Sequence, residues 1–423
     1  MQALPGFRDY FPEECARRNY VTSVWRDVAR RYGFVEYDAP ILESLDLYAK
    51  KNSGGEILSQ LFQFTDKGGR EVALRPEMTP SLARMIAARE RHYRKPMKWF
   101  CVAPFFRYEK QQKGRLREFW QFNADIVGEI GVAADAELIA MAIDILRALG
   151  LGSGDVVVRL SNRHAWLDFL RQKTGSEEGA TEFLAVIDKL EREAPEETEK
   201  KLAAYGCTLE EVRAFIASGG GEAFSSLLDS LEARGMRAFV EVDLTIVRGL
   251  AYYSGNVFEV FDRSRKMRAL AGGGRYDNLL SQLSGGAVDL PAVGFGMGDV
   301  VLGNFIETNA QAKQRMEEEI ARAGGIDLFI VVADASHGGH ATMLLQRLRD
   351  EGWRVDMPAG EMKVGKQFQM AEMLGARYAI VIGSEWPTLK VKTLALRQEE
   401  AVSQEDLVGW LQRAWTDADP LNK

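Results

Sequence analysis

Four short stretches hold the residues whose types and spacing could do chemistry. The first is Leu74-Arg75-Pro76-Glu77-Met78-Thr79-Pro80. Proline fixes a turn there, and Glu77 and Thr79 can project their oxygens to one side of it. A carboxylate and a hydroxyl so placed suit an α-ammonium group. Taken alone, the plainer reading, a surface turn with a helix N-cap at Thr79, is the stronger one. The second stretch is a hairpin, Phe106-Arg107-Tyr108-Glu109 and Arg117-Glu118-Phe119-Trp120-Gln121-Phe122-Asn123-Ala124-Asp125, joined by a basic loop. Side chains alternate along a strand, so Arg107 and Glu109 share one face of the first arm. Gln121, Asn123 and Asp125 share one face of the second. Polar side chains on one face of an otherwise aromatic hairpin are costly unless that face is a site. Arg107 can clamp a phosphate, and the loop arginines can reach a second phosphate or an RNA end.

The third stretch, Val247-Arg248-Gly249-Leu250-Ala251-Tyr252-Tyr253-Ser254-Gly255, sets an arginine beside a glycine within strand-forming residues, a pattern for close backbone approach to a ligand. The fourth pairs Gly272-Gly273-Gly274-Arg275-Tyr276-Asp277 with Gly294-Phe295-Gly296-Met297-Gly298, which suits a nucleotide lying against backbone. It is a poor Rossmann signal, because no strand-turn-helix unit with a later acidic residue frames it. Of the four histidines, His337 and His340 share a Gly-rich loop that reads as solvated rather than as a metal pair. The residues themselves describe a site for an anionic nucleotide and a small ammonium-bearing ligand, and no metal site.

Those residues need elements to position them. Glu13 to Tyr32 reads as an amphipathic helix leading into a proline-bearing strand over 33–42. Met97–Glu109 and Glu118–Gly128 form the hairpin, followed by a helix over Ala134–Leu149 and a strand over Asp155–Leu160. Residues 163 to about 237 are helical in pattern, rich in Glu, Lys and Ala, and read as an inserted subdomain. Strand patterns return over 238–261 and 269–271, then come a Gly-rich turn, a strand over 292–296 and a helix. The charged helical stretch 310–323 looks like a linker. Beyond it, strands at 328–332, 353–356, 378–382 and 389–394 alternate with helices at 341–350, 366–374 and 404–414, an α/β domain.

Composition narrows the class. At 423 residues two or three domains are expected. A net charge of −7 argues against a whole-surface nucleic-acid binder but leaves room for a local basic patch, because screening confines electrostatics to roughly 10 Å. No stretch resembles a membrane span or signal peptide, and Cys15, Cys101 and Cys207 are too far apart for a disulfide framework or a zinc site. The expectation is a cytoplasmic enzyme or subunit.

In order and close to spacing, the four stretches resemble the class II histidyl-tRNA synthetases, beginning at Gly6-Phe7-Arg8-Asp9-Tyr10-Phe11-Pro12 and covering nearly the whole chain. The most specific marks are Arg107-Tyr108-Glu109 with Gln112-Lys113-Gly114-Arg115, the Arg-Gly-Leu-x-Tyr-Tyr string at 248–253, and Gly-Gly-Arg-Tyr-Asp at 273–277. The resemblance implies an α+β fold: an antiparallel sheet flanked by helices, with a helical insertion and a C-terminal α/β anticodon-binding domain. Expected divisions are a catalytic domain over 1–307, with the insertion at about 163–237, a linker over 308–325 and the anticodon-binding domain over 326–423.

It also implies histidine, ATP with Mg2+ and tRNA(His) as ligands, and a homodimer built on the helix before Pro40 and the strand containing it. Glu77 and Thr79 resemble the residues that hold the histidine ammonium group. Gln121, Asp125, Tyr252 and Tyr253 fall where the family reads histidine and its imidazole. Arg107 resembles the motif 2 arginine on the ATP α-phosphate and histidine carboxylate, and Arg248 the family's catalytic arginine. Glu109 and Arg115 fall near ATP, and Gln112 near the tRNA acceptor end.

Three departures stand out. Val301 occupies the place of the motif 3 arginine near the ATP γ-phosphate, Ala251 that of an aspartate, and Asp125 that of a glutamate. Either another arginine, of which Arg275 is one candidate, makes the lost phosphate contact, or ATP binding is weakened. The alternative is the synthetase-like regulatory subunit of ATP phosphoribosyltransferase, which senses histidine without charging tRNA. Against it stand Arg107, Arg115, Arg248 and a C-terminal domain that such paralogues usually lack. A class II synthetase for threonine, proline or glycine is disfavoured by the 248–253 string and the missing zinc ligands.

Overall fold

The computed structural model describes residues 2–49, 55–110, 114–190, 193–247 and 253–417. Arg248, Tyr252 and Gln112, three of the expected site residues, lie outside them. The chain divides into two compact units, 1–316 and 317–423.

The first unit is built on an eight-stranded sheet. Its strands are β1 (Val35–Glu36), β5 (Met97–Phe106), β6 (Glu118–Val127), β7 (Val156–Asn162), β8 (Val240–Val242), β9 (Asn256–Asp262), β10 (Ala271–Arg275) and β11 (Ala292–Gly298). They run in the order β1-β5-β6-β11-β10-β9-β7-β8. The two edge pairings, β1 with β5 and β7 with β8, are parallel, and every pairing between them is antiparallel. A separate small sheet joins β2 (Leu42–Ser44), β4 (Glu71–Leu74) and β3 (Gln63–Thr65).

The period of two divides the large sheet cleanly. One face carries Phe100, Phe122, Phe295 and Phe258, all buried, and Trp25 of the Pro12–Arg31 helix packs 6.0 Å from Phe122. The Val132–Ala148 helix, apolar almost all round, adds Leu138, Ile139 and Ile143 to the buried core. Burial of this aromatic and aliphatic face is the main driving force holding the helices to the sheet. The other face carries Gln121, Asn123 and Asp125 of β6, Gly294, Gly296 and Gly298 of β11, Gly272 and Gly274 of β10, and Glu259 of β9.

Between β7 and β8 come helices Arg163–Thr174, Ala180–Ile187, Pro195–Ala203, Leu209–Ala217 and Ser225–Ala233. Trp166, fully buried, sits among Phe169, Phe183 and Phe215, so this helical stretch has an aromatic core of its own. Thr208 and Glu211 cap the Leu209 helix reciprocally, as the Thr-x-x-Glu spacing dictates.

Three local expectations fail. The proline-bearing strand over 33–42 is only two residues long, and Pro40, which has no N–H to give a ladder, lies in the gap before β2. The Gly-rich turn at 272–274 is the middle of β10. In the second unit, polar Gln398–Ser403 forms a strand that its composition hides.

That second unit has strands β12 (Leu328–Val332), β13 (Val355–Asp356), β14 (Tyr378–Ile382), β15 (Thr388–Thr393) and β16 (Gln398–Ser403), in the order β13-β12-β14-β15-β16. Helices Gly338–Asp350, Val364–Met373 and Leu407–Asp417 accompany them. Arg354 grips Asp327 through Nε at 3.1 Å and Nη2 at 2.6 Å, tying the start of β12 to the approach to β13. His337 and His340 approach Nδ1 to Nδ1 at 3.2 Å, and His340 stacks on Trp386 with ring centres 4.5 Å apart.

Candidate active site

The glycine-bearing face of the large sheet is the floor of a site. On β11 and β10 the residues that would point into it are glycines, and at Gly294, Gly296 and Gly274 the space is filled by neighbouring side chains. A Cβ at Gly294 would collide with Asp125 Oδ1, and one at Gly296 with Gln121 Nε2. A Cβ at Gly274 would lie 2.9 Å from the ring of Tyr253. The paired Gly-rich segments are therefore not loops around a nucleotide. They are two adjacent strands stripped of side chains so that polar groups from β6 and from Tyr253 can lie flat over them.

The hairpin and the 74–80 turn meet here. The Phe106 N–H donates to the Arg75 carbonyl at 3.0 Å, and Arg107 Nε donates to the Pro76 carbonyl at 3.0 Å. The Arg107 guanidinium lies 5.3 Å above the Phe119 ring, whose π face favours a cation. Arg75, fully buried, donates to Asp38 at 2.8 Å and to the Ala39 carbonyl at 2.7 Å, which clamps the turn from behind. Thr79 is the first residue of the Thr79–Arg89 helix; Met78, with helical φ and ψ, precedes it and gives no side-chain cap. The expected N-cap at Thr79 is thus off by one residue, and its hydroxyl is not used as a cap.

A cleft of about 640 Å³ opens beside Arg107. Arg107, Glu109, Arg115, Glu259, Arg268 and Val301 are among the residues lining it. Arg115 pairs with Glu109 at 2.7 Å. From Gly298, at the cleft, to Gly294, under Asp125, is four residues of β11, about 13 Å of strand.

At that far end the Tyr276 hydroxyl donates to Asp125 Oδ1. Asp125 is 6% exposed. Burial pushes its carboxyl up to about 7, and the Tyr276 hydrogen bond pulls in the opposite direction. The Tyr253 hydroxyl is made less acidic first by burial and then by the charges of Glu77, Asp125 and Glu259, which brings the first, second and third stretches to one place. Gln121 donates to Asn123 at 2.6 Å along the same face.

Asp125 ties stability to pH. A carboxyl that titrates near 4 in the unfolded chain and near 7 in the fold stabilises fully only below about 4, and that contribution is lost as the pH rises to 7. Asp125→Asn should therefore raise the melting temperature of the ligand-free protein at pH 8, by the equivalent of about 2–4 kcal/mol, with the gap closing towards pH 5. A variant no more stable than the parent at pH 8 would contradict the burial argument.

Arg275 is engaged away from the cleft. It belongs to the opposite face of β10, where the Val132–Ala148 helix packs, and it is 7% exposed. Its Nη2 and Nε bind Asp135, its Nη1 donates to the Glu129 carbonyl at 2.9 Å, and Asp277 lies 3.2 Å away. It is not among the residues lining the cleft, and its guanidinium is taken up by Asp135 and the Glu129 carbonyl.

Three contributors had no role in the sequence reading. Glu259 is legible in hindsight as the one charged residue within the apolar run Val257–Phe261. Tyr276 stands in a string whose glycines drew the attention. Arg268 sits in a basic turn with no periodic signal. At the start of the Asp299–Thr308 helix, Asp299 accepts the Trp120 N–H at 2.9 Å and pairs with Arg8 at 2.7 Å, anchoring the helix that carries Val301. Among the described residues no group of three or more potential metal ligands occurs.

Comparison with known proteins matches this architecture throughout. Residues 6–298 match the family model for histidyl-tRNA synthetase, and residues 327–414 match that for an anticodon binding domain. The histidine–tRNA ligase of Opitutus terrae is 41% identical, covering 96% of this chain and 97% of that protein. The solved apo histidyl-tRNA synthetase of S. aureus superposes with a TM-score of 0.71 at 25% identity, over 97% of this chain and all of that one. A Bacillus halodurans structure described as an ATP phosphoribosyltransferase regulatory subunit/histidyl-tRNA synthetase shares the fold, with a TM-score of 0.66 at 22% identity over 87% of this chain and 96% of that one. The chain belongs to the histidyl-tRNA synthetase family.

Proposed function

We propose that this protein is a histidine–tRNA ligase, which joins histidine to ATP as histidyl-adenylate and transfers the histidyl group to tRNA(His). The observation that carries the reading is a single sheet face with an arginine-lined cleft at one end and the buried Asp125–Tyr276 pair at the other. That arrangement suits a polyphosphate next to a small ligand bearing an N–H donor. The match of residues 327–414 to an anticodon binding domain favours a tRNA-charging enzyme over a histidine-sensing subunit.

In the first step a carboxylate oxygen of histidine forms a bond to the α-phosphorus of ATP as the bond to pyrophosphate breaks. Negative charge grows on the non-bridging oxygens, and fixed guanidinium groups stabilise it without reorganising. Arg107, held by the Pro76 carbonyl and the Phe119 ring, is assigned to that charge. Asp125 is assigned to the imidazole N–H of histidine, with Tyr276 fixing its other oxygen. Glu77 and Thr79 take the ammonium group, Gln121, Tyr252 and Tyr253 complete the histidine site, and Gln112 meets the tRNA end. Glu109 and Arg115 serve ATP. An Mg2+ ion accompanying ATP would be held mainly by the phosphates, with Glu109 and Glu259 the carboxylates lining the cleft.

A homodimer fits the surface. Val35, Ile41, Leu42 and Phe64, on β1 and around the small sheet, are between 41% and 64% exposed. Large apolar groups so placed, beside a two-residue edge strand, are a natural patch for a second copy. No helix among the described residues is long and apolar enough to cross a membrane, and we place the protein in the cytoplasm.

The test is histidine-dependent ATP–pyrophosphate exchange, followed by charging of tRNA(His). Activity in both is expected; histidine binding without exchange would move the assignment to the regulatory subunit. Within the reading, Arg248→Ala should lower the exchange rate by roughly 100-fold while changing histidine affinity by less than about threefold, because the residue is assigned to transition-state charge. Equal losses in rate and affinity would remove that role. Asp125→Asn, the variant expected to stabilise the apo protein, should weaken histidine binding by about tenfold, since it loses a charged acceptor.

A further inference from the structure

Val301 leaves the cleft without the arginine expected from its helix, and the structure offers a different one. Arg268 and Val301 both line the cleft. Gly114, in the left-handed region at φ +81°, marks where they meet: a Cβ there would lie 3.4 Å from Val301 Cγ2 and 3.9 Å from Arg268 Cδ. Arg268 Cδ and Val301 Cγ2 therefore border the same spot, Arg268 having reached it from the turn between β9 and β10.

That turn is built rather than loose. Asp262, 2% exposed, accepts the backbone N–H groups of Lys266 at 3.1 Å and Met267 at 3.0 Å, and the Ser264 hydroxyl. Arg265 takes a left-handed φ of 54°, which turns the chain back. The Leu270 N–H then rejoins the sheet at the Val260 carbonyl, 2.7 Å away. Arg263 pins the outside of the turn through Glu241 at 2.7 Å and the Ala238 carbonyl at 3.0 Å. Arg268 is thus delivered between two anchored neighbours, Met267 and Leu270.

Charge points the same way. The cleft is lined by three arginines, Arg107, Arg115 and Arg268, against two glutamates, Glu109 and Glu259, so its charged lining is net positive. A polyphosphate needs that excess, and a guanidinium can meet it with paired hydrogen bonds.

We infer that Arg268 is the phosphate-binding residue that replaces the motif 3 arginine, contacting the terminal phosphates of ATP from the β9–β10 turn. The inference rests on the ATP reading of this cleft. It assigns to Arg268 binding of the β- and γ-phosphates, not of the nucleoside or of histidine.

The experiment is calorimetric titration of the full chain and of Arg268→Ala and Arg268→Gln with ATP and, separately, with AMP, alongside histidine-dependent exchange. Either variant should bind ATP on the order of 10- to 100-fold more weakly than the parent, with AMP and histidine affinities unchanged. Adding Val301→Arg to Arg268→Ala should restore much of the ATP affinity, because the two side chains flank one spot. Parent-like ATP affinity in both single variants would overturn the inference, as would equal losses for ATP and AMP. If the parent distinguishes ATP from AMP through Arg268 yet catalyses no exchange, the ligase reading fails and this inference stands. If the parent does not bind ATP, both fail.

Discussion

Arg107→Ala should lower the rate of histidine-dependent ATP–pyrophosphate exchange by roughly 100- to 1,000-fold, the loss seen when one preorganised donor to developing charge is removed. The side chain is preorganised by two contacts that do not involve a ligand, the Pro76 carbonyl at 3.0 Å from Nε and the Phe119 ring beneath the guanidinium. Lysine cannot reproduce both, because it lacks the planar fork that bonds to Pro76 through one nitrogen and leaves two others for phosphate oxygens. Arg107→Lys is therefore expected to recover little of the lost rate. The measurement is the exchange rate under saturating histidine and ATP, with thermal denaturation as a control. A fall of less than about threefold, with the fold intact, would take Arg107 out of the reaction.

The second large effect is on stability. Arg275→Met should destabilise the first unit by about 3–5 kcal/mol, the usual cost of removing one partner from a buried ion pair. Asp135, 2% exposed, would be left charged in the core with Asn256 as its remaining partner, at 3.2 Å. The disturbance has a path outward: Asn256 accepts from Asn162 at 2.7 Å, and Asn162 caps the Arg163–Thr174 helix by accepting the Ala165 N–H at 3.1 Å. The double variant Arg275→Met with Asp135→Leu should recover most of the loss, because an apolar pair has no charge to strand. Chemical denaturation measures both. If Arg275→Met kept parental stability and lost ATP affinity instead, Arg275 would belong to the phosphate site and not to the core. Together with the Arg268 variants, this separates the two arginines: one holds the sheet to its helix, the other faces the cleft.

Much of the site was readable because β-strands alternate. The polar set Gln121, Asn123 and Asp125 stands out in an aromatic strand whatever lies around it, and the hairpin that carries it spans Met97–Phe106 and Glu118–Val127, close to the expected arms. The α+β class, the helix over Pro12–Arg31 and the α/β alternation of the second unit follow from local periodicity in the same way. Strings such as Gly-Gly-Arg-Tyr-Asp fix the family because few positions in a chain combine those residues in that order.

What the residues could not settle was decided by tertiary packing. Gly272 to Gly274 read as a turn because glycine is a weak strand former; they form β10 because neighbouring strands on both sides supply the hydrogen bonds, and at Gly273 and Gly274 no Cβ would fit. Arg275 looked available to phosphate because an arginine beside glycines is read without knowing its face, and one step along a strand reverses that face. Arg268 was invisible for the converse reason. It lies 33 residues before Val301 in the chain, on a different element, and only the folding of the β9–β10 turn onto the cleft sets the two side by side. Local patterning thus determined which residues are polar, paired or periodic, while the sheet register determined which of them share a site.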